Sequence, residues 1–184
     1  NYTDVDGVLP FPPSLLPKEY EFLKRKIRPL KKLSFRRMKY LCDFSVNVFH
    51  PEALGLLDGS GVNVVVKNTF NESSAGTLLC EDDGESCEDF YFAADKFGNV
   101  KNNLEQRASK EPVYEMFLNS AKAVVSPDDS VFWFSLCEES EKIIRYLGNT
   151  CKTVCTWSDD GVVLSVVGAE KPLILSEIFG QIYK

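Results

Sequence analysis

Residues 130–167 read SVFWFSLCEESEKIIRYLGNTCKTVCTWSDDGVVLSVV, and this stretch decides the predicted fold class. The run Ser130–Leu136 is almost wholly apolar, which is typical of a buried strand. Glu138–Leu147 has helical periodicity, and we expect Gly148 to end that helix. The first half of the stretch therefore predicts a strand followed by a helix.

The second half of the stretch predicts a β-hairpin. Thr153–Trp157 and Val162–Val167 have strand character and are joined by a short polar turn that ends in the step Asp160-Gly161. Such a step is a strong hairpin signal, because glycine adopts a positive φ without steric cost. We therefore expect Gly161 to have a positive φ.

The chain before this stretch mixes both kinds of element. Alternating apolar residues predict strands, and apolar residues at helical spacing predict a helix after Pro17 and another from Pro112. The predicted strands are Cys42–Val48, Val62–Val66, Thr77–Cys80 and Asp89–Ala94, the last two joined by an acidic loop. The expected fold class is α+β, with an antiparallel-rich mixed sheet flanked by three or four helices.

The chain divides into a lead-in and one domain. Residues 1–17 contain four prolines and few periodic apolar positions, which predicts an extended segment. Residues 18–184 are expected to form a single α+β domain, since this length fits one hydrophobic core. A possible internal loop covers residues 98–111, for which an exposed helix is the alternative.

Two aromatic triplets, Phe90-Tyr91-Phe92 and Phe132-Trp133-Phe134, break the alternation of a half-buried strand. Consecutive side chains of a strand point to opposite faces of the sheet. Either helices cover both faces, or one aromatic side chain is exposed and belongs to a binding surface.

Charge is distributed unevenly along the chain. Residues 1–40 hold ten Lys and Arg against four Asp and Glu, a net charge of +6, and the remainder holds 11 against 23, a net charge of −12. The basic segment therefore predicts a site for an anionic partner. A solvated face and docking on the acidic remainder are the alternatives. The candidate binding residues are Lys24, Arg25, Lys26, Arg28, Lys31, Lys32, Arg36 and Arg37.

The cysteines and two sequons favour an extracellular or cell-surface protein. Six cysteines allow up to three disulfides, of which Cys80–Cys87 is the favoured local pair. Asn1 and Asn71 each begin an Asn-x-Ser/Thr glycosylation tripeptide. A cytoplasmic or nuclear protein with free buried thiols is the alternative. The remaining disulfide candidates are Cys42, Cys137, Cys151 and Cys155.

No catalytic motif accompanies the single histidine, His50, and we assign no catalytic residue. Zinc would need Cys137, Cys151, Cys155 and His50 together, and disulfides account for the same cysteines with fewer assumptions. We therefore expect no metal and no cofactor. No apolar run is long enough to span a membrane.

These features predict a binding domain rather than an enzyme. The expected function is that of a secreted or surface-exposed module that recognises a protein or a polyanion, such as a sulfated glycan, through its basic helix and an aromatic surface. The alternative is an intracellular module that binds nucleic acid or an acidic protein through residues 18–39. An enzyme that uses carboxylates alone is a third possibility, although no spacing selects a pair of them.

Overall fold

The computed structural model describes residues 1–44, 46, 48–83 and 89–183. Two 3₁₀ helices cover Pro13–Leu15 and Lys18–Arg25. The strands are β1 Tyr2–Thr3, β2 Lys32–Ser34, β3 Val64–Asn68, β4 Thr77–Cys80, β5 Phe92–Lys96, β6 Ser130–Phe134, β7 Lys152–Ser158 and β8 Gly161–Val167. The α-helices are α1 Phe35–Asp43, α2 Pro51–Leu57, α3 Phe97–Ala108, α4 Pro112–Ala121, α5 Glu138–Thr150 and α6 Lys171–Ile182. Within these described ranges, no helix is long and apolar enough to cross a membrane.

The strands form two four-stranded sheets. The first has the order β1-β3-β4-β2 and is mixed, because β1 pairs with β3 and β2 with β4 in parallel, while β3 and β4 are antiparallel. The second has the order β5-β6-β8-β7 and is antiparallel throughout. The predicted α+β class is therefore confirmed. The strands predicted at Thr77–Cys80 and Asp89–Ala94 correspond to β4 and β5, which lie in different sheets.

The second sheet is built on a split β-α-β unit. β6 and β7 run in the same direction, since both are antiparallel to β8, which lies between them. Helix α5 connects β6 to β7, and α6 follows β8. This arrangement is the β-α-β-β-α order of ferredoxin-like folds. The strand beside β6 is β5, which comes earlier in the chain.

Helices cover both faces of the second sheet, so the aromatic triplets belong to the hydrophobic core. Trp133 points into a core that includes residues of α1, α3 and α4, which we call the first core. Phe92, Phe132 and Phe134 point into a core that includes residues of α5 and α6, which we call the second core. All four side chains are fully buried. The interpretation of these rings as an exposed binding surface is therefore wrong.

Helix α1 replaces part of the strand predicted at Cys42–Val48. Ser34 caps this helix, because its hydroxyl accepts a hydrogen bond from the Arg37 amide at 3.2 Å. Phe35, Met38 and Leu41 then face the core at helical spacing. The alternation of apolar residues that begins at Cys42 is short. The helical pattern that begins after the capping residue Ser34 is longer and determines the structure up to Asp43.

The predicted hairpin is confirmed, but the role assigned to its glycine is wrong. β7 and β8 pair up to Ser158 and Gly161. The φ of Gly161 lies outside the left-handed region. Glycine is needed here for space, because a Cβ would lie 2.3 Å from the Phe134 carbonyl oxygen and 2.6 Å from the Trp133 ring. The predicted stop at Gly148 is also wrong, because α5 continues to Thr150.

Residues 1–17 pack against both cores. Val8 is fully buried in the first core, and the Phe11 ring stacks on Phe92 in the second, with ring centroids 5.4 Å apart. The Thr77 hydroxyl accepts from the Val8 amide at 2.8 Å and donates to the Leu30 carbonyl at 2.7 Å. These contacts hold the first residues of the chain against the rest of the molecule.

Candidate functional site

A cleft of about 420 Å³ opens at one edge of the second sheet. Three strand ends meet there, because β5 ends at Lys96, β6 begins at Ser130 and β8 ends at Val167. We call it the Lys96–Lys171 cleft. It is lined by Lys96, Asp128, Asp129, Gly168, Ala169, Glu170, Lys171 and Pro172.

Asp129 fixes the shape of this cleft. Its carboxylate accepts hydrogen bonds from the amides of Ser126 at 2.6 Å and Gly168 at 2.9 Å, and its own carbonyl accepts from the Phe97 amide at 2.9 Å. Asp129 is buried, and Gly168 has a φ of +74°, which favours glycine. These bonds join the α4–β6 loop, the end of β8 and the start of α3 into one frame.

The cleft carries charges of both signs. The Lys96 ammonium donates to the Asp128 carboxylate at 2.8 Å, and this pairing raises the pKa of Lys96 and lowers the pKa of Asp128. Glu170 supplies a further carboxylate from the residue that precedes α6. The arrangement provides acceptors for an ammonium group and donors for a carboxylate.

Lys171 has donors available for a ligand. Its ammonium donates to the Ala94 carbonyl at 3.2 Å, and among the described residues no carboxylate lies within ion-pair distance of it. Partial burial lowers the pKa of Lys171. An ammonium group has three donors, so Lys171 can bind an anion without losing its bond to Ala94.

The structure distributes the predicted basic residues over several contacts. Lys24 pairs with Glu21 at 2.7 Å, Lys32 pairs with Asp83, and the Arg36 Nε lies 2.6 Å from the Asp160 carboxylate. Other members bond to main chain or contact a ring: Arg28 donates to the Arg25 carbonyl, and the Lys26 ammonium lies 6.0 Å from the Phe22 ring centroid. The remaining predicted residues are Arg25, which is exposed at the end of the 3₁₀ helix Lys18–Arg25, Lys31, which lies beside β2, and Arg37, which lies in α1.

The predicted disulfides are wrong for the part of the chain that the structure describes. Cys42 packs against the first core and Cys151 and Cys155 against the second, so the second sheet separates them. Cys151 and Cys155 are four residues apart along an extended segment, about 13 Å, whereas a disulfide needs about 6 Å between Cα atoms. The described cysteines, including Cys80 and Cys137, are free thiols, and Cys87 lies outside the described residues.

The two sequons lie in hydrogen-bonded surroundings. The Asn71 amide donates to the Asp6 carboxylate at 3.0 Å, and the Asn1 amide donates to the Val48 carbonyl at 3.3 Å. His50 precedes α2 and does not line the Lys96–Lys171 cleft. Within the described residues, no group of three or more His, Cys, Asp or Glu side chains is placed to hold a metal ion.

Sequence reasoning missed this cleft. It gave Lys96, Glu170 and Lys171 no role. Each of these residues lies at the end of a strand or the start of a helix, which was a usable signal. The order of strands in the second sheet brings them together, and that order was not predicted.

Comparisons with known proteins point to one group of enzymes. No protein-family model matches the chain. A stretch of 78 residues, 42% of the chain, is 36% identical to the bifunctional aspartokinase/homoserine dehydrogenase of Haemophilus influenzae, and covers 9% of that protein. A stretch of 81 residues, 43% of the chain, is 38% identical to aspartokinase 3 of Bacillus subtilis, and covers 16% of it.

Solved structures extend the likeness to the whole chain. All of the chain superposes on 52% of Escherichia coli aspartokinase III in complex with aspartate and ADP, an R-state, with a TM-score of 0.65 and 11% identity. The aspartate kinase of Clostridium acetobutylicum, described as an allosteric enzyme, matches 98% of the chain over 52% of its own, with a TM-score of 0.61 and 15% identity.

These similarities overturn several predictions. Aspartokinases are intracellular metabolic enzymes. The prediction of a secreted, glycosylated and disulfide-bonded protein is therefore wrong, and so is the predicted extracellular localisation. The cytoplasmic alternative fits the comparisons better. The solved relatives contain amino acids and ADP, which contradicts a glycan, other polyanion or nucleic acid as the partner. The chain spans about half the length of these solved structures, and its α+β fold is the fold of that half.

Proposed function

We propose that this chain is a regulatory part of an intracellular enzyme similar to aspartokinase, and that the Lys96–Lys171 cleft binds a free amino acid. The main support for the proposal is that charges of both signs line one cleft and that the Lys171 ammonium donates to the Ala94 carbonyl, with the Asp95 carboxylate as an electrostatic neighbour. A zwitterion needs both kinds of group within a few ångströms.

The ligand's charged groups have complementary partners in the cleft. Lys171 provides donors for an α-carboxylate, and partial burial strengthens this interaction, because the effective dielectric constant is lower than in water. Glu170 and Asp128 provide acceptors for an α-ammonium group. The frame built on Asp129 fixes the backbone at Ser126 and Gly168 before the ligand arrives, which reduces the entropic cost of binding.

The fold comparison supports a regulatory role. Escherichia coli aspartokinase III was solved as an R-state with aspartate and ADP and as a T-state with lysine and aspartate. The chain superposes fully on the T-state structure as well, with a TM-score of 0.58 and 11% identity. A chain of this fold with an amino-acid cleft at a sheet edge suits ligand-dependent control of an attached enzyme.

Thermal unfolding of the chain in the presence of each common amino acid tests this function. A ligand that binds only the folded state, at a hundred times its Kd, stabilises by about 2.7 kcal/mol, which raises the Tm of a chain this long by roughly 5–10 °C. We expect at least one amino acid to do this.

A charge-removing variant tests the location. Lys171→Gln is expected to abolish the shift, because it removes the donor for the α-carboxylate. Lys152→Gln is the matched control, since Lys152 is exposed at the start of β7 and does not line the cleft. The proposal fails if no amino acid raises the Tm, or if Lys171→Gln retains the full shift.

A further inference from the structure

A second cleft adjoins the first. It has a volume of about 640 Å³ and lies between residues 14–19 and the first turns of α6. Lys171 and Pro172 line both clefts, so the two adjoin at the start of α6, and we call them together the trough.

The two ends of this trough differ in polarity. The Lys96–Lys171 cleft is lined mostly by charged residues, whereas the second cleft has mainly apolar walls. Leu173 is 63% exposed at the surface of the trough, and Leu15 and Leu16 pack partly against the second core. The apolar walls are Leu15, Leu16, Pro17, Pro172, Leu173 and Leu175.

We infer that the amino acid bound by this chain has an aliphatic side chain, which lies between Leu16 and Leu173 while its ammonium and carboxylate groups occupy the Lys96–Lys171 cleft. This inference rests on the proposed function. The inference adds the chemical class of the ligand side chain, because the walls of the second cleft beyond Lys171 are mainly apolar.

A charged side chain is disfavoured in the same position. The Glu19 carboxylate, which also lines the second cleft, accepts a hydrogen bond from the Ser176 hydroxyl. A charged ligand side chain that lies between Leu16 and Leu173 would lose hydration against these apolar walls. Burial of an aliphatic ligand side chain between the same walls favours binding, because apolar surface is removed from water.

Isothermal titration with the series glycine, alanine, valine and leucine tests the inference, with lysine and aspartate as charged comparisons. Each buried methylene contributes about a fourfold gain in affinity, so Kd is expected to fall by about that factor per added carbon. If lysine or aspartate binds more tightly than leucine, the proposed function stands and this inference is wrong. If no amino acid binds, both are wrong.

Substitution of Leu173 tests where the side chain of the ligand lies. Leu173→Ser is expected to weaken leucine binding by roughly tenfold while leaving glycine binding unchanged, because it removes apolar surface from the second cleft only. Leu56→Ser is the control, since Leu56 is 83% exposed on α2 and lines neither cleft. Equal effects of Leu173→Ser on glycine and leucine would contradict the inference.

Discussion

The Arg107 guanidinium donates two hydrogen bonds to one carboxylate oxygen of Asp43, from Nε at 3.0 Å and from Nη2 at 2.6 Å. Both side chains are nearly buried, with 12% and 14% of their surface exposed. Arg107 also lies over the Tyr40 ring, 4.0 Å from its centroid. This pair connects α1 to α3, the helix that begins beside the Lys96–Lys171 cleft.

Arg107→Met is expected to lower the free energy of unfolding by roughly 3 kcal/mol, because it leaves the Asp43 carboxylate buried without its cation. Urea unfolding followed by circular dichroism measures this loss. Lys101→Met on the same helix is the control, since its pair with Glu105 is half exposed and we expect a change within about 0.5 kcal/mol. Equal effects would show that the buried pair does not stabilise the fold.

The same variant has a predictable pH dependence. Burial raises the pKa of Asp43 above its usual value even with Arg107 present. A carboxyl group with a raised pKa in the folded state favours folding at low pH, and this contribution is lost as the pH rises through the folded pKa. Removal of Arg107 raises that pKa further, so the stability gap between Arg107→Met and wild type is expected to narrow as the pH falls from neutral and Asp43 becomes protonated in the variant first. A constant gap would contradict this account of Asp43.

Gly161→Ala is expected to destabilise the chain by about 1–3 kcal/mol or more, because the new Cβ would lie 2.3 Å from the Phe134 carbonyl oxygen. Gly55→Ala is the matched control. Gly55 lies exposed in α2, and a Cβ added there would have no heavy atom within 4 Å, so alanine is expected to stabilise by about 0.5–1 kcal/mol. Thermal unfolding gives both values, and changes of the same sign would contradict the packing described for β8.

Thr77→Val replaces the hydroxyl with a methyl group of similar size and leaves the Val8 amide and the Leu30 carbonyl without their bonds. We expect a loss of roughly 2 kcal/mol, because Thr77 is fully buried. Thr69→Val, at an exposed position, is expected to cost much less. Denaturant midpoints compare the two, and an unchanged midpoint for Thr77→Val would show that this hydroxyl does not hold residues 1–17 in place.

The thiols of Cys42 and Cys155 are expected to react slowly. Burial raises the pKa of Cys42 to about 12 and the pKa of Cys155 to about 11, and only the thiolate is nucleophilic. Iodoacetamide labelling at about pH 8 should therefore be at least about tenfold slower at both sites than in urea, as measured by peptide mass spectrometry. Labelling at equal rates would mean that these thiols are exposed.

The sequence predicted the second sheet better than the first. β6, α5, β7 and β8 follow from local patterns: a continuous apolar run predicts β6, helical periodicity predicts α5, and two strand-like runs joined by a polar turn predict the hairpin of β7 and β8. α1 was missed because a short alternation around Tyr40 resembled a strand, although Ser34 offered a cap signal.

The candidate site depends on long-range order that no local pattern contains. Lys96, Asp129 and Gly168 are far apart in the chain and meet only because β5, β6 and β8 are neighbours. The even number of cysteines and two chance glycosylation tripeptides indicated secretion from local sequence alone. No local pattern indicated where the cleft lies. The high density of positive charge in the basic segment is also a local property. It did not reveal that Lys24 and Arg36 form ion pairs within the fold.

The most direct test of the central claim is a ¹H–¹⁵N correlation spectrum of the chain, titrated with the amino acid that gives the largest rise in Tm. We expect the largest shifts at the amides of Lys96, Asp129, Gly168 and Lys171, and we expect Lys171→Gln to remove them. Shifts concentrated elsewhere, or no shifts at saturating ligand, would contradict the assignment of the Lys96–Lys171 cleft as the amino-acid site.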